Sequence, residues 1–212
     1  IMTLPTSGLI TVNNRGARAA TTFGSVAAAG GNMVFIKKLT ASSSGTLTFL
    51  NGASSVVFDS TYKEYLFTFK NIHPSANPGV ISFQGTTDGT NYNTAITSSY
   101  FRAFHNEADN STALQYAAGF DQAQGTGFQP LDSGSGSDND QASSGTLRIF
   151  NPSSTTFVKH FLGNVSCVND GDFNHNVFTA GYFNTTSAIT GIRFAMDSGN
   201  IDSGDICLYG IL

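Results

Sequence analysis

Short apolar runs alternate with polar clusters along most of this chain, and their spacing predicts strands. From Met33 onward, runs rich in Val, Ile, Phe, Tyr and Thr are separated by clusters of Gly, Ser, Asn and Asp, which is the pattern of an all-β sandwich or barrel. The predicted strands are residues 34–40, 46–50, 55–59, 64–70, 80–85, 100–105, 146–150, 156–162, 165–168, 177–183, 189–196 and 205–211.

Alternation within these runs predicts which side chains face a core. In residues 64–70, Tyr65, Phe67 and Phe69 share one face of the strand, and polar residues occupy much of the other, as a period of two requires. The same alternation directs other apolar side chains inward: Leu47, Phe49, Leu147, Ile149, Ile192, Phe194, Met196, Ile206 and Leu208. Asn51-Gly52 is the best hairpin signal and predicts that residues 46–50 pair with residues 55–59.

Two later segments are less regular. Thr112 and Gln115 resemble a capping box, so residues 112–118 are predicted as either a short helix or a strand. Residues 121–144 have the composition of a loop, and the glycine-serine tract at 133–140 is predicted to be mobile.

The first 32 residues differ from the rest and are predicted to form an N-terminal arm or linker. Small residues dominate positions 17–32, and no alternation persists. Extended at roughly 3.3 Å per residue, such an arm would reach on the order of 100 Å. Its spaced apolar side chains Leu9, Ile10, Val12 and Phe23 are candidate anchors for assembly, and the alternative interpretation is a terminus with no role. The fold prediction is therefore a jelly-roll-like antiparallel β-sandwich at residues 33–212 with an extended arm.

Composition and charge narrow the function classes. Charged residues make up only 11% of the chain, with a net charge of −4, and the basic residues never cluster beyond Lys37 and Lys38. A surface that binds nucleic acid through phosphates needs a basic patch, so no nucleic-acid partner is predicted. No apolar run approaches the ~20 residues that cross a bilayer as a helix, so no membrane partner is predicted either.

Cys167 and Cys207 lie in apolar runs and are predicted to be reduced and buried. A disulfide between them, if their strands are neighbours, is the alternative.

The common catalytic motifs are absent, and one local cluster of side chains could bind a cation or take part in catalysis. There is no phosphate-binding loop, nucleophile elbow or dinucleotide fingerprint. On a strand, His105, Glu107 and Asp109 would point the same way and would suit a cation or acid–base chemistry. The alternative is a loop whose carboxylates pair with a cation such as Arg102. Neighbouring aspartates offer calcium as a possible cofactor, with turn formation as the simpler explanation: Asp138 and Asp140, Asp170 and Asp172, Asp202 and Asp205.

Carbohydrate binding is the second function class. β-Sandwiches often present aromatic rings that stack on sugars, and this chain has no Trp but seven Tyr. Tyr92, Tyr100 and Tyr116 are the candidate platform residues, and half-buried strand aromatics are the alternative interpretation.

Several strings in the sequence resemble poorly characterised structural proteins of marine tailed bacteriophages. They are YKEYLF (62–67), FRAFHNEAD (101–109), FNPSSTT (150–156), GYFNTTSAI (181–189), SGNIDSGDI (198–206) and LYGI (208–211). The similarity extends over about residues 33–212, and the arm is a departure from it. The resemblance implies a virion component assembled in the host cytoplasm, and it supplies no established catalytic residues.

Together these observations lead to an expected function. We expect a non-enzymatic virion structural protein, a capsid decoration or cement protein present in many copies. Its partners would be copies of itself, with a trimer as a plausible homo-oligomer, and other virion proteins. The alternative is a tail-fibre or receptor-binding module that recognises host surface carbohydrate. Low charge suits a multi-copy particle, because contacts between neutral surfaces depend little on ionic strength.

Overall fold

The computed structural model describes residues 32–212, and every regular element in this part is a β-strand. The strands are β1 (Met33–Thr40), β2 (Leu47–Leu50), β3 (Glu64–Pro74), β4 (Ile81–Thr86), β5 (Ile96–Asn106), β6 (Thr112–Tyr116), β7 (Ala123–Gly125), β8 (Gln129–Pro130), β9 (Ser143–Phe150), β10 (Lys159–Val168), β11 (Phe173–Phe183), β12 (Gly191–Met196) and β13 (Ile201–Ile211). The predicted arm at residues 1–32 lies, apart from Asn32, outside the described residues.

The strands form two antiparallel sheets, which confirms the predicted β-sandwich. The large sheet has nine strands in the order β1-β13-β3-β9-β10-β11-β5-β6, with β7 also paired to β5, and the small sheet has the order β2-β12-β4-β8. Most strand neighbours are distant in sequence, so the sandwich is held together by long-range pairing. β10 and β11 form the longest uninterrupted hairpin ladder, from Lys159 opposite Phe183 to Val168 opposite Asn174.

The core lies between the two sheets and is rich in phenylalanine. Phe194 of the small sheet meets Phe67 and Phe69 of the large sheet edge-on, with ring centroids 5.2 and 5.3 Å apart. Phe83 contacts Phe161 in the same way at 5.1 Å. Edge-to-face aromatic pairs of this kind add about 0.5–1.5 kcal/mol beyond the burial of their area. The residues predicted to face inward are buried in this core, Met196 included.

One strand prediction is wrong for a local reason, and two other predicted strands are one strand in the structure. Residues 55–59 form no strand, because Ser54 and Ser55 adopt positive φ angles of 50° and 69°. Val56 and Phe58 still bury their side chains, but they do so from a loop. The Asn51-Gly52 turn therefore makes no hairpin, and β2 pairs with β12 instead. The predicted strands at 156–162 and 165–168 merge into the single strand β10.

Residues 112–116 match one of the two predicted options, and residues 121–144 differ from expectation. Residues 112–116 form the strand β6, so the helical option is excluded. Residues 121–144, which were predicted as a loop, contain β7 and β8. Within its glycine-serine tract, Ser135 is fully buried and its backbone pairs with Gly79.

Candidate functional site: the outer face of the large sheet

The candidate site is the outer face of the large sheet, which we define as the side turned away from the small sheet. Directly paired residues of antiparallel strands point to the same face, so the register identifies the side chains on it. One row across the sheet contains Phe35, Tyr209, Leu66, Arg148, Leu162, Ala180 and Ser99. The next row contains Lys38, Cys207, Thr68, Thr146, Asn164, Phe178, Phe101 and Tyr116.

An exposed aromatic stack marks the β5–β11 part of this face. The rings of Phe101 and Phe178 are parallel to within 11°, with centroids 5.0 Å apart, and the two residues are 41% and 39% exposed. Tyr116 stands opposite Phe101 on β6, and Leu162 lies on the neighbouring row of β10. These apolar side chains are therefore grouped on one surface.

Two shallow depressions lie on the outer face, and both are lined by Leu162 and Ala180. The first, of about 400 Å³, is bounded by Phe150, His160 and Tyr182. The second, of about 300 Å³, is bounded by another set that includes the aromatic stack: Phe101, Thr146, Arg148, Asn164 and Phe178. Both depressions are shallow, and protruding side chains of a partner surface can fill them.

The polar groups beside the stack are largely paired with each other. The amide of Asn164 donates to the Asn176 side chain at 2.7 Å and to the carbonyl of Val177 at 3.0 Å. Arg148 donates to Glu64 at 2.8 Å, so the positive and negative charges of these two side chains neutralise each other. The outer face is consequently apolar at its centre and close to neutral.

Adjacent bulky residues are the sequence signal for this face, and the prediction from sequence did not use it. Tyr100-Phe101, Phe161-Leu162 and Val177-Phe178 each place one large apolar side chain inside the sandwich and one outside. Because neighbouring strand residues point to opposite faces, such pairs on paired strands indicate an apolar outer surface.

The predicted cation site does not assemble. His105 Nε2 and Asp109 Oδ1 are 3.0 Å apart, because the turn after β5 brings Asp109 back to the strand end. Glu107 is exposed in that turn. Among residues 32–212 no three His, Cys, Asp or Glu side chains are arranged as metal ligands.

The aspartate pairs proposed for calcium make other contacts. Asp202 accepts a hydrogen bond from the Ser43 hydroxyl at 2.9 Å, and Asp205 accepts one from Thr40 at 2.5 Å and pairs with Lys38 at 3.2 Å. These two carboxylates are therefore used to join β13 to β1 and to the segment that follows β1.

The predicted tyrosine platform is wrong at two of its three positions. Tyr100 is fully buried, and Tyr92 is nearly so, with the Arg193 guanidinium 3.7 Å from its ring centre. Neither ring can stack on a sugar. Tyr116 alone is exposed, and its hydroxyl donates to Asp121 at 2.5 Å.

A buried polar cluster between the sheets was not predicted. Asp132 accepts hydrogen bonds from the backbone N–H groups of Ile81 and Gly134 and from the hydroxyls of Ser135 and Ser143. Its burial raises its pKa to about 6.

A serine, a histidine and a cysteine lie beside that carboxylate. The Ser133 hydroxyl contacts Nδ1 of His175 and lies 3.8 Å from Cys167 Sγ. Burial, helped by the positive charge of Arg102, lowers the pKa of His175 to about 4. The carboxylate bonds to serines and not to the histidine, and His175 is buried, so the arrangement differs from a catalytic triad. Both cysteines are buried free thiols, as expected.

The remaining predictions concern the arm, the membrane and relatives. The candidate anchors Leu9, Ile10, Val12 and Phe23 lie outside the described residues. The described part of the chain contains no helix that is long and apolar enough to cross a membrane. Comparison with protein-family models, with curated proteins and with solved structures found no match.

Proposed function

We propose that this chain is a non-enzymatic structural protein of a bacteriophage virion, a capsid decoration or cement protein that acts in many copies. The observation that supports this proposal is the apolar outer face around Phe101, Phe178 and Leu162. Contiguous exposed apolar patches are uncommon on monomeric proteins and mark contact surfaces. The resemblance noted in the sequence points to the same class of protein.

The chemistry of this face suits attachment to a particle. Its ion pair is internal and its amides are bonded to each other, so few unpaired charges need to be desolvated on contact. A contact made by apolar side chains also weakens little as salt rises, because only charge–charge attraction is screened. The proposed occupant is the surface of the capsid, made of other virion proteins assembled in the host cytoplasm.

Binding of the full chain to purified phage particles tests this proposal. The variant Leu162→Ser with Phe178→Ser removes two apolar side chains from the outer face, and we expect at least a tenfold loss of affinity in co-sedimentation. Phe157→Ser is the matched control, because Phe157 is exposed but lies in the loop between β9 and β10. Unchanged binding of the double variant would contradict the proposal, and cryo-electron microscopy of the particles would locate the protein directly.

A tail-fibre or receptor-binding module is the second candidate, favoured by the depression that Phe150, His160 and Tyr182 border. Aromatic and imidazole rings beside the Ser99 hydroxyl form a suitable wall for a sugar ring. Binding on a glycan array that disappears in Tyr182→Ala and persists in Tyr116→Ala would favour this function. Loss of particle integrity on removal of the protein would favour the cement function.

A further inference from the structure

Among the residues that the structure describes, no further strand pairs with either edge of the large sheet, and both edges carry apolar side chains. Among residues 32–212, β1 pairs only with β13, and β6 pairs only with β5. Nine large hydrophobic side chains are exposed in this part of the chain, and four of them lie on these two short strands. They are Met33 (54% exposed) and Phe35 (57%) on β1, and Leu114 (75%) and Tyr116 (56%) on β6. Free edges with apolar side chains are templates for pairing with another strand.

The order of strands makes the two edges compatible with each other. Eight strands lie on the path from β1 to β6, and each neighbouring pair is antiparallel. An even number of alternating strands means that β1 and β6 run in opposite directions. A second copy in the same orientation therefore presents its β1 antiparallel to the β6 of the first copy. Its outer face stays on the same side, so Met33 and Phe35 would extend the surface that contains Leu114 and Tyr116.

The hydrogen-bond pattern of β6 leaves donors and acceptors directed outward. The backbone N–H of Asn106 donates to Ser111, and that of Ala117 donates to Tyr100, so these are hydrogen-bonded pairs at the two ends of β6. In an antiparallel ladder, hydrogen-bonded and non-bonded pairs alternate. Thr112, Leu114 and Tyr116 therefore direct their N–H and C=O groups away from β5, towards a strand that would lie beside β6.

Charge favours pairing of β1 with β6 over pairing of either edge with itself. β1 contains Lys37 and Lys38, whereas the turn that leads into β6 contains exposed Glu107 and Asp109. In an antiparallel pair of β1 and β6, the lysine end of β1 lies at the acidic end of β6. Self-pairing of β1 would bring lysines together, and self-pairing of β6 would place Glu107 and Asp109 near Asp121 of the other copy.

We infer that copies of this protein associate head to tail by pairing β1 of one copy with β6 of the next, which continues the large sheet across the interface. The partner is a second copy of this chain, and a ring forms if the rotation between copies closes. The inference deepens the proposed multi-copy function and rests on it for its biological role.

A proline in β6, at a position whose N–H points away from β5, tests the backbone pairing. Leu114→Pro removes one outward N–H without removing a hydrogen bond to β5, and proline is tolerated on edge strands for this reason. By native mass spectrometry and light scattering between 5 and 200 µM, we expect the full chain to form oligomers and Leu114→Pro to be monomeric. Leu162→Ser is the matched control and should keep the oligomer, because it changes the outer face away from both edges.

A charge exchange tests the orientation. Lys37→Glu places a third acidic group at the interface and should weaken association at least tenfold, and adding Glu107→Lys to the same chain should restore it. Lys37 is the better choice because Lys38 already pairs with Asp205. Circular dichroism of each variant checks that the sheet is intact.

The outcomes separate this inference from the proposed function. A wild-type chain that stays monomeric at 200 µM would overturn the inference, and the lysines of β1 would then be edge protection. Oligomers that persist in Leu114→Pro would also overturn it and would assign association to another surface. Oligomers that need β6 but fail to bind particles would support the inference and contradict the virion function.

Discussion

Asp132 and His175 are buried ionisable residues whose pKa values are shifted in opposite directions. Burial raises the pKa of Asp132 from 3.8 to about 6, so its contribution to stability is present below pH 4 and is lost as the pH rises through 6. Burial lowers the pKa of His175 from 6.5 to about 4, so its contribution is present above pH 6.5 and is lost as the pH falls towards 4. The two slopes oppose each other in the same pH window.

Substituting one of these two residues should therefore reveal the pH dependence of stability that the other one causes. With Asp132→Asn, the free energy of unfolding should rise from pH 4.5 to 6.5, because His175 is then the remaining group of this cluster whose pKa differs from its ordinary value in that range. With His175→Asn it should fall over the same range by about 2 kcal/mol, because about 1.5 pH units of that range lie below the Asp132 pKa of about 6 and each is worth about 1.36 kcal/mol. Urea denaturation at several pH values measures both slopes. The double variant is the control and should be nearly flat; identical slopes in the wild type and both single variants would refute the assignment.

This cluster also shows why part of the site was not predictable. The Asp132 carboxylate bonds to the N–H of Ile81, 51 positions away, and to Ser143, 11 positions away. Nothing local in the glycine-serine tract distinguishes a packed segment from a mobile one. By contrast, the inward direction of Tyr65, Phe67 and Phe69 depends only on strand period, and it was predicted correctly.

At the scale of elements, strand existence was largely predictable and pairing was not. Apolar alternation gave the right side-chain faces for β2 and β3, but the same pattern at residues 55–59 gave a false strand. Val56 and Phe58 are buried at alternate positions there, so burial follows the pattern while the backbone turns at Ser54 and Ser55. The partner of β2 is β12, about 140 residues later, and no turn signal encodes that choice.

One glycine in β13 is required by both backbone angle and space. Gly204 has φ +113°, and an added Cβ would lie 2.5 Å from the carbonyl oxygen of Asn71 on β3. It sits where the β13–β3 register shifts between Ser203 and Asp205. The close approach of two backbones at this irregularity therefore excludes any side chain.

Substitution of Gly204 should cost more than substitution at an open turn. Gly52 also has a positive φ, +80°, but no atom lies within 4 Å of its added Cβ, so Gly52→Ala should cost about 1 kcal/mol for the backbone alone. We expect Gly204→Ala to cost at least about 2 kcal/mol more, because Asn71 must move. Chemical denaturation of both variants measures the difference in the free energy of unfolding. Equal losses in the two variants would contradict the prediction, because they would mean that Asn71 moves away from the added methyl group without loss of stability.

For the whole molecule, the unequal widths of the two sheets determine which surfaces remain available. Four strands cannot cover nine, so all five residues of β6 are exposed on a sheet whose centre is fully packed. The outer face offers apolar area for a different protein, whereas the two edges offer backbone groups for another copy. The proposed capsid protein would need both kinds of contact, one to the particle and one between neighbouring copies.

The predicted arm at residues 1–32 provides the last test at this scale. Residues 32–212 form a compact unit, and the N–H of Leu212 donates to the carbonyl of Asn32. A chain shortened to begin at Asn32 should therefore keep its thermal midpoint within about 2 °C of the full chain, because every described pair of the large sheet is retained.

If Leu9, Ile10, Val12 and Phe23 anchor a partner, the shortened chain should bind particles at least tenfold more weakly in co-sedimentation. Replacing those four residues with serine in the full chain is the matched control, since it keeps the length and removes only the apolar groups. Equal loss in both variants would assign the contact to the anchors, and loss in the shortened chain alone would assign it to other parts of the segment. Unchanged binding in both would mean that attachment depends on the outer face and that the arm has no part in it.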